Sequence, residues 1–374
     1  MPVIGITGPR QSGKTTLAKK LFSKYTYTTL ENPETRAFAE KDPKKFLTTF
    51  KNGLIIDEIQ YIPKLFSYIQ VFVDESEKNG QYIITGSQNF LLLEKITQSL
   101  AGRISIFNLL PLSLDELTKA KYKFADVNDY IFRGFYPRLF DQKIAPDSFY
   151  LDYINTYVER DVRQIINVKD LQQFQLFIRL CAGRVGQLIN YSNLGNDVGV
   201  TDKTIKHWLN ILEASFIIFK LQPYHKNYNK RLVKSGKLFF YDTGLLCSLL
   251  GLKSAKELSV HFAKGGIFEN FIICEIVKHN LNHSLHRKLY FWRDKAGHEI
   301  DLIIEKANNI IPIEIKSSNT INENFFNGLR YFNKLANRDT NKLNSYIIYG
   351  GKEKQDRTEA KVINWEMLNQ LPLD

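Results

Sequence analysis

Hydrophobic positions in this chain fall either in continuous runs or at helical spacing, and the alternation between the two marks out its segments. Residues 2–7 form a short apolar run that leads into a glycine-rich turn, after which Leu17, Ala18, Leu21 and Phe22 recur at helical spacing. Apolar runs return at 53–58 and 81–87, each followed by polar residues. Continuous strands separated by helices predict a parallel sheet covered on both faces, ending near residue 120. Helical spacing then takes over across 147–161 and 171–181, predicting a helical lid over 121–185. In the segment 186–254, a helix opens at Tyr191 with Ser192 as its cap and Leu194 and Val198 on one face. Gly199-Val200-Thr201 makes a tight turn, a second helix over 202–213 turns Ile205, Leu209 and Leu212 inward, and a strand follows at 216–219. Helix, short turn, helix and strand outline a winged helix-turn-helix. The last segment, 255–374, predicts a helix over 267–277 and strands at 288–292, 300–304, 310–315 and 346–349. The fold class is α/β.

Composition narrows the class without altering that pattern. With 374 residues, 44% of them hydrophobic and 24% charged, the chain reads as an ordinary globular protein of two to four domains. No stretch approaches 18 apolar residues, and the start lacks the basic region of a secretory signal, so a cytoplasmic protein without membrane contact is expected. Cys181, Cys247 and Cys274 form no C-x-x-C pair and sit among apolar neighbours, which predicts core residues. Trp208, Trp292 and Trp365 are likewise expected in the core, and His279, His283 and His286 at the surface. Charge is more informative: 51 Lys and Arg against 39 Asp and Glu give a net +12, which favours a polyanionic partner such as nucleic acid.

The first turn carries the clearest chemistry. Gly8, Pro9, Arg10, Gln11, Ser12, Gly13, Lys14 and Thr15 fit G-x-x-x-x-G-K-[ST], after a strand and before a helix, as phosphate binding requires. The glycines let backbone N–H groups wrap the phosphates, with Thr16 just inside the helix, whose amino end adds its positive dipole. Lys14 is expected to neutralise the β- and γ-phosphates of ATP and the Thr15 hydroxyl to ligate Mg²⁺. At the end of the second run, Asp57 is the expected Mg²⁺ partner and Glu58 the group that orients or deprotonates the attacking water. Ser87 or Thr85, at the end of the third, is placed to sense the γ-phosphate.

These strings, together with Ala101-Gly102-Arg103, Gly134-Phe135-Tyr136-Pro137, Tyr241-Asp242-Thr243-Gly244-Leu245 and Gly266-Ile267-Phe268-Glu269-Asn270, resemble a prokaryotic AAA-type P-loop ATPase family with a carboxy-terminal domain of unknown function. The resemblance covers nearly the whole chain. It implies an AAA-like sheet and a charge-stabilising role for Arg103, a role worth about 10³–10⁵ in rate where an arginine finger operates.

Two further constellations lie downstream. Lys220, Lys226, Lys230, Arg231, Lys234 and Lys237 form a basic wing without an acid, interleaved with Tyr224, His225 and Tyr228. Lys226, Lys230, Arg231 and Lys234, with Lys203 and Lys206 on the second helix, are the expected phosphate contacts, and the tyrosines are placed to stack on bases. In the last segment, Glu314 and Lys316 are two apart in a strand and share a face, with Asp301 a hairpin's length earlier. Two carboxylates and a lysine suit a second Mg²⁺ site acting on a phosphate ester. The pattern resembles the PD-(D/E)XK nuclease core, which implies that Glu269 is the matching helix carboxylate. The domains are therefore expected at 1–120 (AAA-type ATPase), 121–185 (lid), 186–254 (winged helix) and 255–374 (restriction-endonuclease-like). Three readings stand: an ATPase coupled to nucleic acid, DNA favoured; a nucleotide switch with an inactive docking domain and a protein partner or second copy; and an ATP-gated, Mg²⁺-dependent nuclease.

Overall fold

The structure, a computed structural model, describes residues 1–50, 52–76, 78–87, 99–158, 171–225, 233–306, 309–336 and 344–373. It divides into two compact units, the first made of residues 1–112, 136–141 and 210–217 and the second of the remainder.

In the first unit, β1 (Val3–Thr7), β2 (Thr26–Thr29), β3 (Leu54–Asp57), β4 (Tyr82–Gly86) and β5 (Ile104–Asn108) form one parallel sheet in the order β2-β3-β4-β1-β5. Its helices include α1 (Lys14–Leu21), α2 (Pro33–Lys41), α3 (Pro43–Thr48) and α4 (Leu65–Asp74). Alternate strand residues feed two layers. Val3, Leu54, Ile56, Tyr82 and Ile84 pack with Leu65, Phe66 and Ile69 of α4, whereas Ile6, Ile55 and Ile83 pack with Ala18 of α1. Burial on both faces is why these strands read as unbroken apolar runs. Each buried Val, Leu, Ile or Phe among them contributes about 1.5–3 kcal/mol. The pattern missed β2 and β5. The first is the polar string Thr26-Tyr27-Thr28-Thr29, and the second is an edge strand whose Ile106 and Phe107 stay exposed.

The second unit opens with α5 (Leu114–Lys119), α6 (Val127–Arg133), α7 (Pro146–Tyr153), α8 (Leu171–Ala182), α9 (Tyr191–Val198) and α10 (Asp202–Ala214), of which the residues up to Leu209 belong to this unit. It continues through β6 (Ile218–Pro223), β7 (Lys237–Phe240), α11 (Thr243–Leu249), α12 (Ala255–Val260), α13 (Lys264–Asn282), β8 (Lys288–Arg293), β9 (Glu299–Lys306) and β10 (Asn309–Lys316). It closes with α14 (Asn327–Leu335), β11 (Tyr346–Tyr349), β12 (Gln355–Asp356) and β13 (Lys361–Asn364). The strands form one mixed sheet, β12-β13-β11-β10-β9-β8-β6-β7.

Several expectations shift here. The helix at 191 is capped by Asn190, whose side chain accepts from the Asn193 N–H at 3.0 Å, while Ser192 donates to Asp202 at 2.7 Å. The strand expected at 216–219 begins at Ile218, because Phe216 takes a left-handed turn (φ 55°). Packing draws no boundary at 185 or 254. Phe174 of α8 meets Trp208 of α10 edge-on and Phe177 meets it at a tilt, both with ring centroids at 5.3 Å, and β6 joins the last segment's sheet through β8. The three cysteines and three tryptophans are buried as expected. His283 and His286 are exposed, but His279 is half-buried and stacks on His283 at 4.1 Å.

Candidate functional site

Glycine shapes the turn after β1. Gly8 passes so close to the chain at Leu109 that a Cβ there would lie 2.1 Å from the Leu109 carbonyl oxygen, and Gly13 (φ 95°) opens α1 from the left-handed region. Gln11 also takes a positive φ of 62°, the Ser12 N–H donates to Pro9 O at 3.4 Å, and Thr16 is exposed. Lys14, the first residue of α1, is buried, and its Nζ donates to the carbonyl oxygens of Gly8 at 3.0 Å and Pro9 at 2.7 Å. Burial pulls its pKa down to about 8, against the upward pull of the Glu58 and Asp57 carboxylates.

The end of β3 brings Asp57 to this turn. Its Oδ2 accepts from the Thr15 hydroxyl at 2.9 Å and the Tyr27 hydroxyl at 2.8 Å, and its Oδ1 accepts from the Thr85 hydroxyl. Glu58 leaves the strand at φ 55°, and its Oε2 accepts from the Ser87 hydroxyl at 3.2 Å, the Ser87 N–H at 3.4 Å and the Gln60 amide. The pair singled out as phosphate sensors thus each engage a carboxylate: Thr85 holds Asp57 and Ser87 holds Glu58. Sequence reasoning missed Tyr27, whose strand has no apolar run and which lies 30 residues from its partner.

Arg103 is not at this turn. The register of β5 on β1 pairs Val3 with Ile104 and Thr7 with Asn108, so Arg103 sits at the far end of β1 from Gly8, about 20 Å away by strand rise. There its guanidinium forms a two-pronged pair with Asp74, one bond at 2.9 Å, in an exposed position. The charge-stabilising role expected for Arg103 is therefore corrected for the loop of its own chain.

In the second unit, β9 and β10 run antiparallel and bring Asp301 to Glu314 and Lys316. Lys316 Nζ donates to Glu314 Oε2 at 2.5 Å and to Asp301 Oδ2 at 3.2 Å, and the Ile315 N–H donates to Asp301 Oδ2 at 2.8 Å. Burial works against the charge of Asp301, but Lys316, Lys237 and that N–H outweigh it and hold its pKa below the ordinary value. Burial and then the Asp301 charge push Glu314 well above its ordinary range. Glu269 on α13 joins the cluster: Glu269, Glu299 and Asp301 present oxygens within 4.8 Å of one another. Burial raises Glu269 to about 7, opposed by Lys237 and reinforced by Asp301. Glu299, two residues before Asp301 on the same strand face, was overlooked. So was Gly328 of α14, where a Cβ would lie 2.1 Å from Glu314 Oε1.

The basic wing resolves differently from its sequence. Lys203 and Lys206 of α10 and Lys234 are exposed, and Lys226, Lys230, Arg231 and Tyr228 lie outside the described residues. Lys237 is no surface contact: it is 2% exposed, and its Nζ donates to Glu269 Oε1 at 2.9 Å and to Glu299 Oε1. Tyr224 is also withdrawn from any base, packed in the core against Tyr290 at 5.5 Å.

Comparison with known proteins supports the first unit's reading. Residues 1–118 match the family described as AAA domain, and two domains of unknown function match 124–256 and 264–368. The uncharacterized proteins Mb2031c of Mycobacterium bovis and Rv2008c of Mycobacterium tuberculosis are each 30% identical over 324 residues, covering 85% of this chain and 71% of the relative. The chain belongs to the family of these mycobacterial proteins. Its amino-terminal part is an AAA-type P-loop ATPase domain on a parallel sheet. A Haemophilus influenzae protein is 25% identical over 278 residues, covering 70% of this chain and 64% of its own. Among solved structures, a variant of Thermotoga maritima RuvB is 15% identical with a TM-score of 0.32, covering 59% of this chain and 82% of that one. A Pyrococcus horikoshii signal-transduction ATPase with a tetratricopeptide-repeat sensor is 13% identical with a TM-score of 0.22, covering 76% and 44%. No helix among the described residues is long and apolar enough to cross a membrane.

Proposed function

We propose that this protein binds MgATP at the Gly8–Thr15 turn, hydrolyses it to ADP and phosphate, and couples the nucleotide state to a nucleic-acid-engaging, nuclease-like second unit. The observation that carries the ATPase reading is the pair of carboxylates at the end of β3, each held by neutral donors beside the buried Lys14. Backbone N–H groups of the turn and the amino end of α1 take the phosphates, and Lys14 exchanges the Gly8 and Pro9 carbonyls for the β- and γ-phosphate oxygens. The residues fit Mg²⁺, because Thr15 Oγ1 and Asp57 Oδ2 are hard oxygen donors already 2.9 Å apart. When bound, the ion neutralises phosphate charge. Glu58 orients the attacking water, and Ser87 fixes the Glu58 carboxylate.

The second unit supports a docking or cutting role. Consecutive helices α9 and α10 joined by Gly199-Val200-Thr201, followed by the antiparallel pair β6 and β7, suit a winged helix-turn-helix, with Lys203, Lys206 and Lys234 as phosphate contacts. In the last segment, α13 leads to the antiparallel β8, β9 and β10, and α14 leads to β11, parallel to β10. That order suits the PD-(D/E)XK core. Glu269, Asp301 and Glu314, with Glu299, are the residues that would hold a second divalent ion, beside Lys316. We keep 1–120, 121–185, 186–254 and 255–374 as functional segments within the two packed units. Measuring ATP hydrolysis with and without duplex DNA, while following the DNA for Mg²⁺-dependent cuts, tests the whole reading. No hydrolysis in either condition overturns the ATPase assignment. Hydrolysis that DNA stimulates without cuts favours the docking domain, and cuts lost in Asp301→Asn favour the nuclease.

A further inference from the structure

A lysine stands inside the second acidic cluster, placed there by a strand outside the α13-to-β11 core. Lys237 opens β7, the outermost strand of the sheet, yet it is 2% exposed. Its Nζ donates to Glu269 Oε1 at 2.9 Å and to Glu299 Oε1, the same two carboxylates that join Asp301 within 4.8 Å. The other oxygen of Glu299 is held by Arg293 at 2.9 Å. Backbone on the other side closes the pocket. Gly186 has room for no side chain larger than hydrogen without crowding Glu269 Oε2, 3.1 Å from where its Cβ would lie. The Gly186 N–H donates to Leu238 O at 2.8 Å and the Leu238 N–H to Gln187 O at 3.1 Å, so the lysine's backbone is stitched to that wall.

Four carboxyl groups (Glu269, Glu299, Asp301 and Glu314) face three cations (Lys237, Lys316 and Arg293), so each of the four already has a cationic partner. A magnesium ion needs its oxygens at about 2.0–2.1 Å in octahedral array. An ammonium bonded to those oxygens occupies that space and repels the incoming charge.

We propose that Lys237 is the resident cation of the Glu269–Glu299–Asp301 cage, so that a divalent ion enters only by displacing its ammonium. Strand β7, which carries Lys237, thereby sets how strongly the second site takes metal. The inference rests on the reading of this cluster as a divalent-cation site and adds the residue that regulates it.

The test is calorimetric titration of Mn²⁺ into the nucleotide-free full chain, with Asp57→Asn throughout to silence the first site. Lys237→Met, which keeps the stem and removes the charge, should bind Mn²⁺ at least tenfold more tightly than the parent, and Lys237→Arg should not. Adding Asp301→Asn should erase the gain. Binding that Asp301→Asn abolishes but Lys237→Met leaves within twofold overturns the role of Lys237 alone. Binding indifferent to Asp301→Asn, or none in any form, overturns the acidic-site reading and the lysine's role together. If Lys237→Met does not fold, Lys237→Met with Glu299→Gln removes one charge of each sign and is compared with Glu299→Gln alone. Tighter binding by the double variant supports the proposal, and equal binding overturns it.

Discussion

The two acidic clusters of this protein solve one problem in opposite ways. At the end of β3, Asp57 and Glu58 are held by uncharged groups, namely the hydroxyls of Thr15, Tyr27, Thr85 and Ser87 and the amide of Gln60. Their negative charge is oriented but not cancelled, and Lys14 points instead at backbone carbonyls. In the second unit, the carboxylates of Glu269, Glu299, Asp301 and Glu314 are held by Lys237, Arg293 and Lys316. Hydroxyl donors leave a carboxylate free to meet a cation, whereas lysines and an arginine bonded to it meet it in advance. The first arrangement suits repeated loading with a charged ligand, and the second resists it.

The sharpest way to break this contrast is at Glu58. Glu58→Gln keeps the side chain's shape and its Ser87 contact but removes the base, so ATP turnover should fall by about 10²–10⁴-fold with nucleotide binding retained. Single-turnover hydrolysis alongside equilibrium binding of a fluorescent ATP analogue separates the two, and turnover at the parent rate would refute the assignment. Lys14→Ala should weaken ATP binding about a hundredfold, the scale of charge-assisted bonds lost to phosphate. The intact site should show the same dependence through pH. With the free amine titrating near 8, the amine is charged below that value and progressively neutral above it, so affinity should decline from pH 7 to pH 9. A flat affinity profile across that range would argue that Lys14 does not bear the phosphate charge.

Stability should separate the clusters as well. Glu269→Ala leaves the buried Lys237 with one carboxylate fewer and should cost about 3 kcal/mol in urea unfolding. Asp57→Asn, whose partners are hydroxyls able to bond an amide equally well, should change stability by less than about 1 kcal/mol. Equal losses would dissolve the distinction between the sites. The smallest effect is expected at Arg103. Paired with the exposed Asp74 away from the turn, Arg103→Ala should alter ATP turnover by less than about threefold and stability by less than about 1 kcal/mol. A thousandfold loss of turnover would mean that Arg103 reaches a phosphate after all, in a neighbouring copy of the chain.

Local sequence by itself determined the parts of this protein whose physics is local. The apolar runs of β1, β3 and β4 declare strands buried on both faces, Gly8 and Gly13 declare a turn that only glycine can make, and Glu314 and Lys316 announce a shared face through the period of a strand, with Asp301 a hairpin's length before them. Tertiary structure alone decided the rest. Tyr27 became a partner of Asp57 because parallel pairing aligned a polar edge strand with β3. Arg103 was taken to the wrong end of β1 by the register of β5. Lys237 looks like one more cation of a solvated basic wing, and its burial follows from carboxylates 32 residues and more away in sequence. The reason is physical: backbone conformation and side-chain period are set by neighbours along the chain, but the charge state and accessibility of a side chain are set by whatever the fold packs against it.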